Sequence, residues 1–179
     1  DLRSALKMGT DKKPIKKILN NNISIVNSPF PNKSIEKNTH SYKPASSTEL
    51  LEKDWKKLEP EKYFNLEYEK EIDNRENEME EIKENASNTP KMVSSSIKKI
   101  KEGVKEKVRD KMDSKQSYYL LQDDEVLDIT ITTLNTEEYK KVAEKIAEMW
   151  KDIGIKTDVR LIDKFQIKEI LKKRDYEVL

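Results

Sequence analysis

A chain of 179 residues suits one ordinary domain with a single core, yet only 34% of it is hydrophobic and 40% is charged, so part of it is expected to lie outside that core. Its 36 Lys and Arg against 35 Asp and Glu leave no overall field of one sign to attract nucleic acid or an anionic membrane. The absence of cysteine excludes disulfides, thiolate metal sites and a cysteine nucleophile, and leaves the redox compartment open.

The longest apolar runs are only a few residues, far short of the roughly 20 that cross a bilayer, and the N-terminus carries no basic-then-apolar leader pattern. Asp1-Leu2-Arg3 enters an apolar-periodic segment directly and Tyr176-Glu177-Val178-Leu179 is strand-like, a pattern expected of a segment cut from a longer chain.

Residues 1–58 open with Leu2, Ala5 and Leu6 at helical spacing. Thr10 and Asp11 offer N-cap oxygens for a second short helix carrying Ile15, Ile18 and Leu19, with Pro14 tolerated in its first turn. Asn20 to Asn22 end that helix, and Ile23-Ser24-Ile25-Val26 reads as a brief extended piece. The run Asn27-Ser28-Pro29-Phe30-Pro31-Asn32 reads as a rigid irregular loop, because its two prolines forbid a helix. Ser46 or Ser47 is then expected to cap a helix with Leu50, Leu51, Trp55 and Leu58 on one face.

Residues 59–117 differ in kind. Between Glu61 and Glu84 acidic residues far outnumber Lys62, Lys70, Arg75 and Lys83, over a thin stripe of Ile72, Met79 and Ile82. From Lys91 to Lys115 the balance turns basic, with Val93, Ile97, Ile100, Val104, Val108 and Met112 along one helical face. Residues 85–90, Asn-Ala-Ser-Asn-Thr-Pro, separate the two. Two readings stand: a helical hairpin pairing opposite charges, or a largely disordered insertion. Gly103 and Ser94-Ser95-Ser96 weaken the second arm.

Residues 118–179 carry the clearest pattern. Leu127, Ile129 and Ile131 alternate with Asp128 and Thr130, the signature of a strand with one better-buried face. Asn135 with Glu138 suggests a capping box for a helix placing Tyr139, Val142, Ala143, Ile146, Met149, Trp150 and Ile153 on one side. Gly154 sits where a helix ends in a left-handed residue, and Ile155, Thr157, Val159 and Leu161 alternate again. Asp163 is expected to cap a further helix with Ile167, Ile170 and Leu171, before a last strand from Tyr176. The order is β-α-β-α-β, which implies a parallel sheet and an α/β class.

Several stretches together resemble the family 5 extracellular solute-binding proteins, the oligopeptide-, dipeptide- and nickel-binding components of ABC importers. Leu2-Arg3-Ser4-Ala5-Leu6 followed by Asp11-Lys12 is similar to that family's Arg-x-Ala-Leu helix and Asp-Arg or Asp-Lys helix start, and Ser28-Pro29-Phe30-Pro31 falls where it has a proline-bearing loop. Tyr42-Lys43-Pro44 with Leu50-Leu51 and Trp55 resembles a Tyr-x-Pro preceding a helix that ends near Gly-Trp, with Asp54 in place of the glycine. Leu127 to Thr133, Tyr139 to Ala143, Ile153-Gly154-Ile155 and Asp175-Tyr176-Glu177 resemble the family's strand, helix, Leu-Gly-Ile turn and Asp-Tyr-Asp strand. The likeness covers about two thirds of the chain in conserved order and departs at the long charged middle, where the family has a short connection.

The resemblance implies part of the second lobe of a periplasmic-binding-protein-like fold, with residues 1–58 and 118–179 in the lobe and 59–117 an insertion. It implies a non-enzymatic monomer that binds a peptide or other small solute and delivers it to ABC transporter permease subunits. An extracellular or periplasmic, cell-surface location follows, with the parent lipoprotein tethered by a lipid anchor. Because the first lobe and the later ligand groups lie outside the sequence, the implied cleft is incomplete. The other class of function open to this sequence is a structural or protein-interaction domain that works through the charged hairpin.

Ser28 and Phe30, in the loop that the resemblance places toward the cleft, are the candidate ligand-binding residues. No catalytic or metal-binding set is expected: His40 is the lone histidine, the acidic pairs have neither histidine nor cysteine beside them, and Gly9, Gly103 and Gly154 are too scattered for a phosphate loop. No cofactor is implied. Trp55 and Trp150 fall on apolar helical faces and are read as core, and Asp123-Asp124-Glu125 as a polar turn.

Overall fold

The computed structural model describes residues 2–19, 25, 41–85 and 90–179. Asn20 to Asn22, all but Ile25 of the brief extended piece, the proline loop with Ser28 and Phe30, His40, and residues 86–89 of the breaker lie outside these. The chain divides into two compact units, Asp1–Lys57 with Tyr118–Leu179, and Leu58–Ser117.

In the first unit, α1 (Leu2–Gly9) and α2 (Lys12–Ile18) follow the apolar spacing, and Asp11 caps α2 by accepting the Lys13 N–H at 2.9 Å. The third helix, α3 (Pro44–Leu51), begins earlier than expected. Pro44 takes the first helical position, where a missing N–H costs nothing, so Ser46 and Ser47 are interior. Ser47 is fully buried and donates to the Ala5 carbonyl at 2.7 Å, tying α3 to α1. Nor does one face run from Leu50 to Leu58: α3 stops at Leu51, whose carbonyl accepts from Trp55 N, and Leu58 ends the short strand β1 (Lys56–Leu58).

A three-stranded sheet has the order β1-β2-β3, where β2 is Tyr119–Gln122 and β3 is Glu125–Val126. The hairpin between them is closed by Asp123 and Asp124, both at positive φ (51° and 62°), as a tight two-residue turn of right-twisted strands requires.

The center of this unit is a βαβ motif. The strands β4 (Asp128–Leu134) and β5 (Lys156–Ile162) are parallel, in register from Asp128 with Lys156 to Leu134 with Ile162, and α7 (Glu137–Asp152) connects them. The α/β class expected from the alternating patterns is what the chain adopts. In the second unit, described below, the helices between β1 and β2 are α4 (Pro60–Asp73), α5 (Glu76–Asn85) and α6 (Pro90–Lys111).

Three local expectations about the βαβ region are corrected. The cap of α7 is Thr136, without a side-chain bond, because Asn135 still donates its N–H to Ile162 and so belongs to the sheet. Tyr139 is 52% exposed: it lies in the first turn, beyond the buried stretch Ala143, Ala147, Met149 and Trp150. Asp163 does not cap α8 (Ile167–Lys173), whose cap is Gln166; a turn intervenes, in which Gln166 Oε1 accepts the Asp163 N–H. The last strand amounts to one parallel bridge from Val178 to Ile131.

The core of the unit joins Ala5, Leu51, Leu120, Leu127, Ile129, Ile131, Ala143, Ala147, Trp150, Ile153 and Ile155. Gly154 ends α7 at φ +86°, against the ring of Tyr118.

The second unit packs α4 and α5 on α6. Among the described residues its buried hydrophobic side chains are Tyr63 from α4, Met79 from α5, and Val104 and Val108 from α6, and Gln116 is buried as well. The acidic arm is two helices rather than one, broken near Asn74, while α6 runs unbroken through the serines and Gly103. Glu71 accepts from Lys107 at 2.7 Å and Lys111 at 2.9 Å, and these paired ammonium groups lower its pKa to about 2. Phe64 stacks on Tyr68 one turn along, and the Arg109 guanidinium lies over the Phe64 ring, 5.9 Å from its centroid.

Candidate solute-binding groove

The first unit carries an apolar groove of about 450 Å³ at the carboxyl ends of β4 and β5. This position follows from the topology: where parallel strands end and their connections diverge, side chains from strand, helix and loop leave a crevice. Ile131 to Leu134 and Ile162 supply the strand ends, Val142, Ala143 and Ile146 the α7 wall, and Ile167, Val178 and Leu179 the remainder. Tyr139 stands at the groove with half its surface exposed.

Polar groups here are few and neutral. Trp150 donates its indole N–H to Thr10 Oγ1 at 2.9 Å, and the same hydroxyl donates to the Leu6 carbonyl at 2.7 Å. Together with the Asp11 N–H directed at Met149 Sδ, 3.2 Å away, these bonds hold the α1–α2 corner against α7. Thr132 is 1% exposed and its hydroxyl has no partner among the described residues. Among the described residues no charged side chain lines the groove.

Charge lies along the neighboring strands instead. Lys156 pairs with Asp128 and lies 3.7 Å from Asp158, Arg160 bonds Asp175 at 3.0 Å, and the Glu177 carboxylate accepts the Thr130 N–H at 2.5 Å. No cluster of histidine and carboxylate side chains able to hold a metal occurs among the described residues. Nor, among them, is any helix long and apolar enough to cross a membrane.

The residues that sequence reasoning selected, Ser28 and Phe30, lie outside the described residues. The sequence marks those that line the groove as strand or helix positions, and Thr10 as a candidate cap. Trp150 is indeed core, at 6% exposure, and also borders the groove. The available signal was positional: residues at the carboxyl ends of two parallel strands joined by a helix.

The fold is a mixed α/β lobe of the periplasmic-binding-protein type. Two solved structures share it: the oligopeptide-binding protein AppA from Bacillus subtilis in complex with a nonapeptide, at 15% identity and TM-score 0.56, and NikA from Brucella suis in complex with Fe(III)-EDTA, at 13% identity and TM-score 0.58. The likeness covers 94% and 98% of this chain, which spans only 24% and 25% of theirs. No protein-family model and no curated protein matches the sequence.

Proposed function

We propose that the chain forms part of one lobe of a solute-binding protein serving an ABC importer, with a peptide or similar small solute as cargo and no chemical step. The observation that carries this reading is the uncharged groove at the strand ends, in a lobe shared with one protein solved with a nonapeptide and another with a metal chelate. In the same reading residues 1–58 and 118–179 build the lobe and 59–117 are an insertion; Ser28 and Phe30 face the solute. Delivery to a permease, an extracellular or periplasmic location and a lipid tether of the parent protein belong to it as well. The wall supplies apolar contact, and closure against a second lobe would supply the rest by population shift.

Methyl-resolved NMR of the full chain, titrated with an apolar nonapeptide, tests this. A single wall should bind weakly, in the millimolar range, with perturbations centered on Ile131, Ile162 and Val178. Tyr139→Ala, at an exposed rim position, should weaken them. Perturbations confined to residues 58–117 would instead favor an interaction role for the helical unit, and none anywhere would remove the solute reading.

A further inference from the structure

The near-zero net charge of the whole chain conceals a local imbalance at α8. Phe165 is 79% exposed, the most exposed of the large hydrophobic residues described. It borders a shallow depression with Lys168, Glu169, Lys172 and Lys173. Glu169, the carboxylate in this depression, is already matched by Lys173 at 2.6 Å, and Arg160 is matched by Asp175. Among the described residues Lys164, Lys168, Lys172 and Arg174 form no ion pair, against Asp163 as the unpaired acid nearby.

We propose that Phe165 and the lysines around it form a docking surface for an anionic lipid bilayer. An apolar ring that projects from the surface gains nothing from a soluble phosphate; it needs an apolar phase to enter, and the acyl boundary beneath headgroups is one. Lys168 and Lys172, four residues apart on α8, border the depression with the ring, and Lys164 directly precedes Phe165 in the chain. Their long stems let the ammonium groups reach headgroups while the ring inserts. Ammonium groups are point charges without a fixed fork, suited to a fluid charged plane rather than to one oriented carboxylate. An acidic peptide would more naturally be held in a walled groove, whereas here the aromatic stands proud. This inference is independent of the solute reading, because α8 contributes only Ile167 to the groove.

Cosedimentation of the full chain with vesicles tests it. The chain should pellet with vesicles rich in phosphatidylglycerol and not with pure phosphatidylcholine, and raised salt should release it. Phe165→Ala should weaken binding about tenfold, and Lys168→Gln with Lys172→Gln about 25-fold, at roughly fivefold for each lysine. Tryptophan fluorescence should match wild type in each variant, since these side chains are at the surface. Equal binding to both vesicle types, or equal binding by wild type and variants, would overturn the proposal. Binding to a soluble poly-glutamate peptide without pelleting would overturn it in favor of an acidic protein partner.

Discussion

Replacing Gly154 by alanine tests how the βαβ motif is closed. At φ +86° an L side chain costs about 1–2 kcal/mol. A Cβ there would lie 2.2 Å from Tyr118 Cε2 and 2.8 Å from Cδ2, so the ring must move, which at core overpacking costs adds about 1–3 kcal/mol. Movement would also disturb the Lys57 ammonium, 4.9 Å from the Tyr118 centroid. The expected loss is roughly 2–5 kcal/mol. Trp55 and Trp150 both belong to the first unit, so tryptophan fluorescence during urea unfolding follows that unit. Repeating the substitution in a Tyr118→Ala background should recover the overlap part and leave the backbone part. A change below about 0.5 kcal/mol in the single variant would refute the turn geometry.

The same substitution at Gly103 should have the opposite sign: beyond the backbone of α6 itself and the adjoining residues, no described atom lies within 4 Å of its added Cβ, so Gly103→Ala should stabilize the helical unit by up to about 1 kcal/mol, read by circular dichroism at helical wavelengths. Glu71→Gln should abolish an acid-dependent component of that unit's stability. The Glu71 pKa is depressed to about 2 by Lys107 and Lys111, so its contribution is complete above the ordinary glutamate range and disappears as pH falls from about 4.5 toward about 2. With the lysines 40–49% exposed, the worth is on the order of 1 kcal/mol, and identical acid titrations of variant and wild type would contradict the clamp. Thr10→Val should cost about 1–3 kcal/mol by urea denaturation, since a buried indole N–H loses its acceptor. Thr132→Val should be neutral or stabilizing by urea denaturation, because it removes a buried hydroxyl without a partner among the described residues; destabilization would show that the hydroxyl is satisfied in solution.

The α/β class was legible because its signals are local. Ile129 and Ile131 alternate with polar neighbors, the α7 stripe repeats at helical spacing, and Gly154 marks the stop; each needs only a few adjacent residues. Element ends were less legible because distant partners decide them. Asn135 carries a good cap side chain, but Ile162 holds its N–H in the sheet. Ser47 has the same local signature as a cap, yet Ala5, 42 positions away, makes it an interior hydrogen-bond donor. The groove was least legible: Ile131 and Ile162 look like any strand isoleucine, and only the register that brings both strand ends together distinguishes them.

That register also bears on selectivity. A wall of Ile, Val, Leu and Ala discriminates by fit, and one methylene in such a surface changes binding by only about 1–3 kcal/mol. Polar recognition is sharper because an unmatched buried group is penalized, and Thr132 is the buried groove-lining group whose hydroxyl lacks a partner among the described residues. In the solute-binding reading this wall would therefore accept side chains of varied size and leave the recognition of charge to groups elsewhere in the parent protein. The bonds from Thr10 to Trp150 and Leu6 fit such a division, since they fix the position of the wall without presenting charge to the solute.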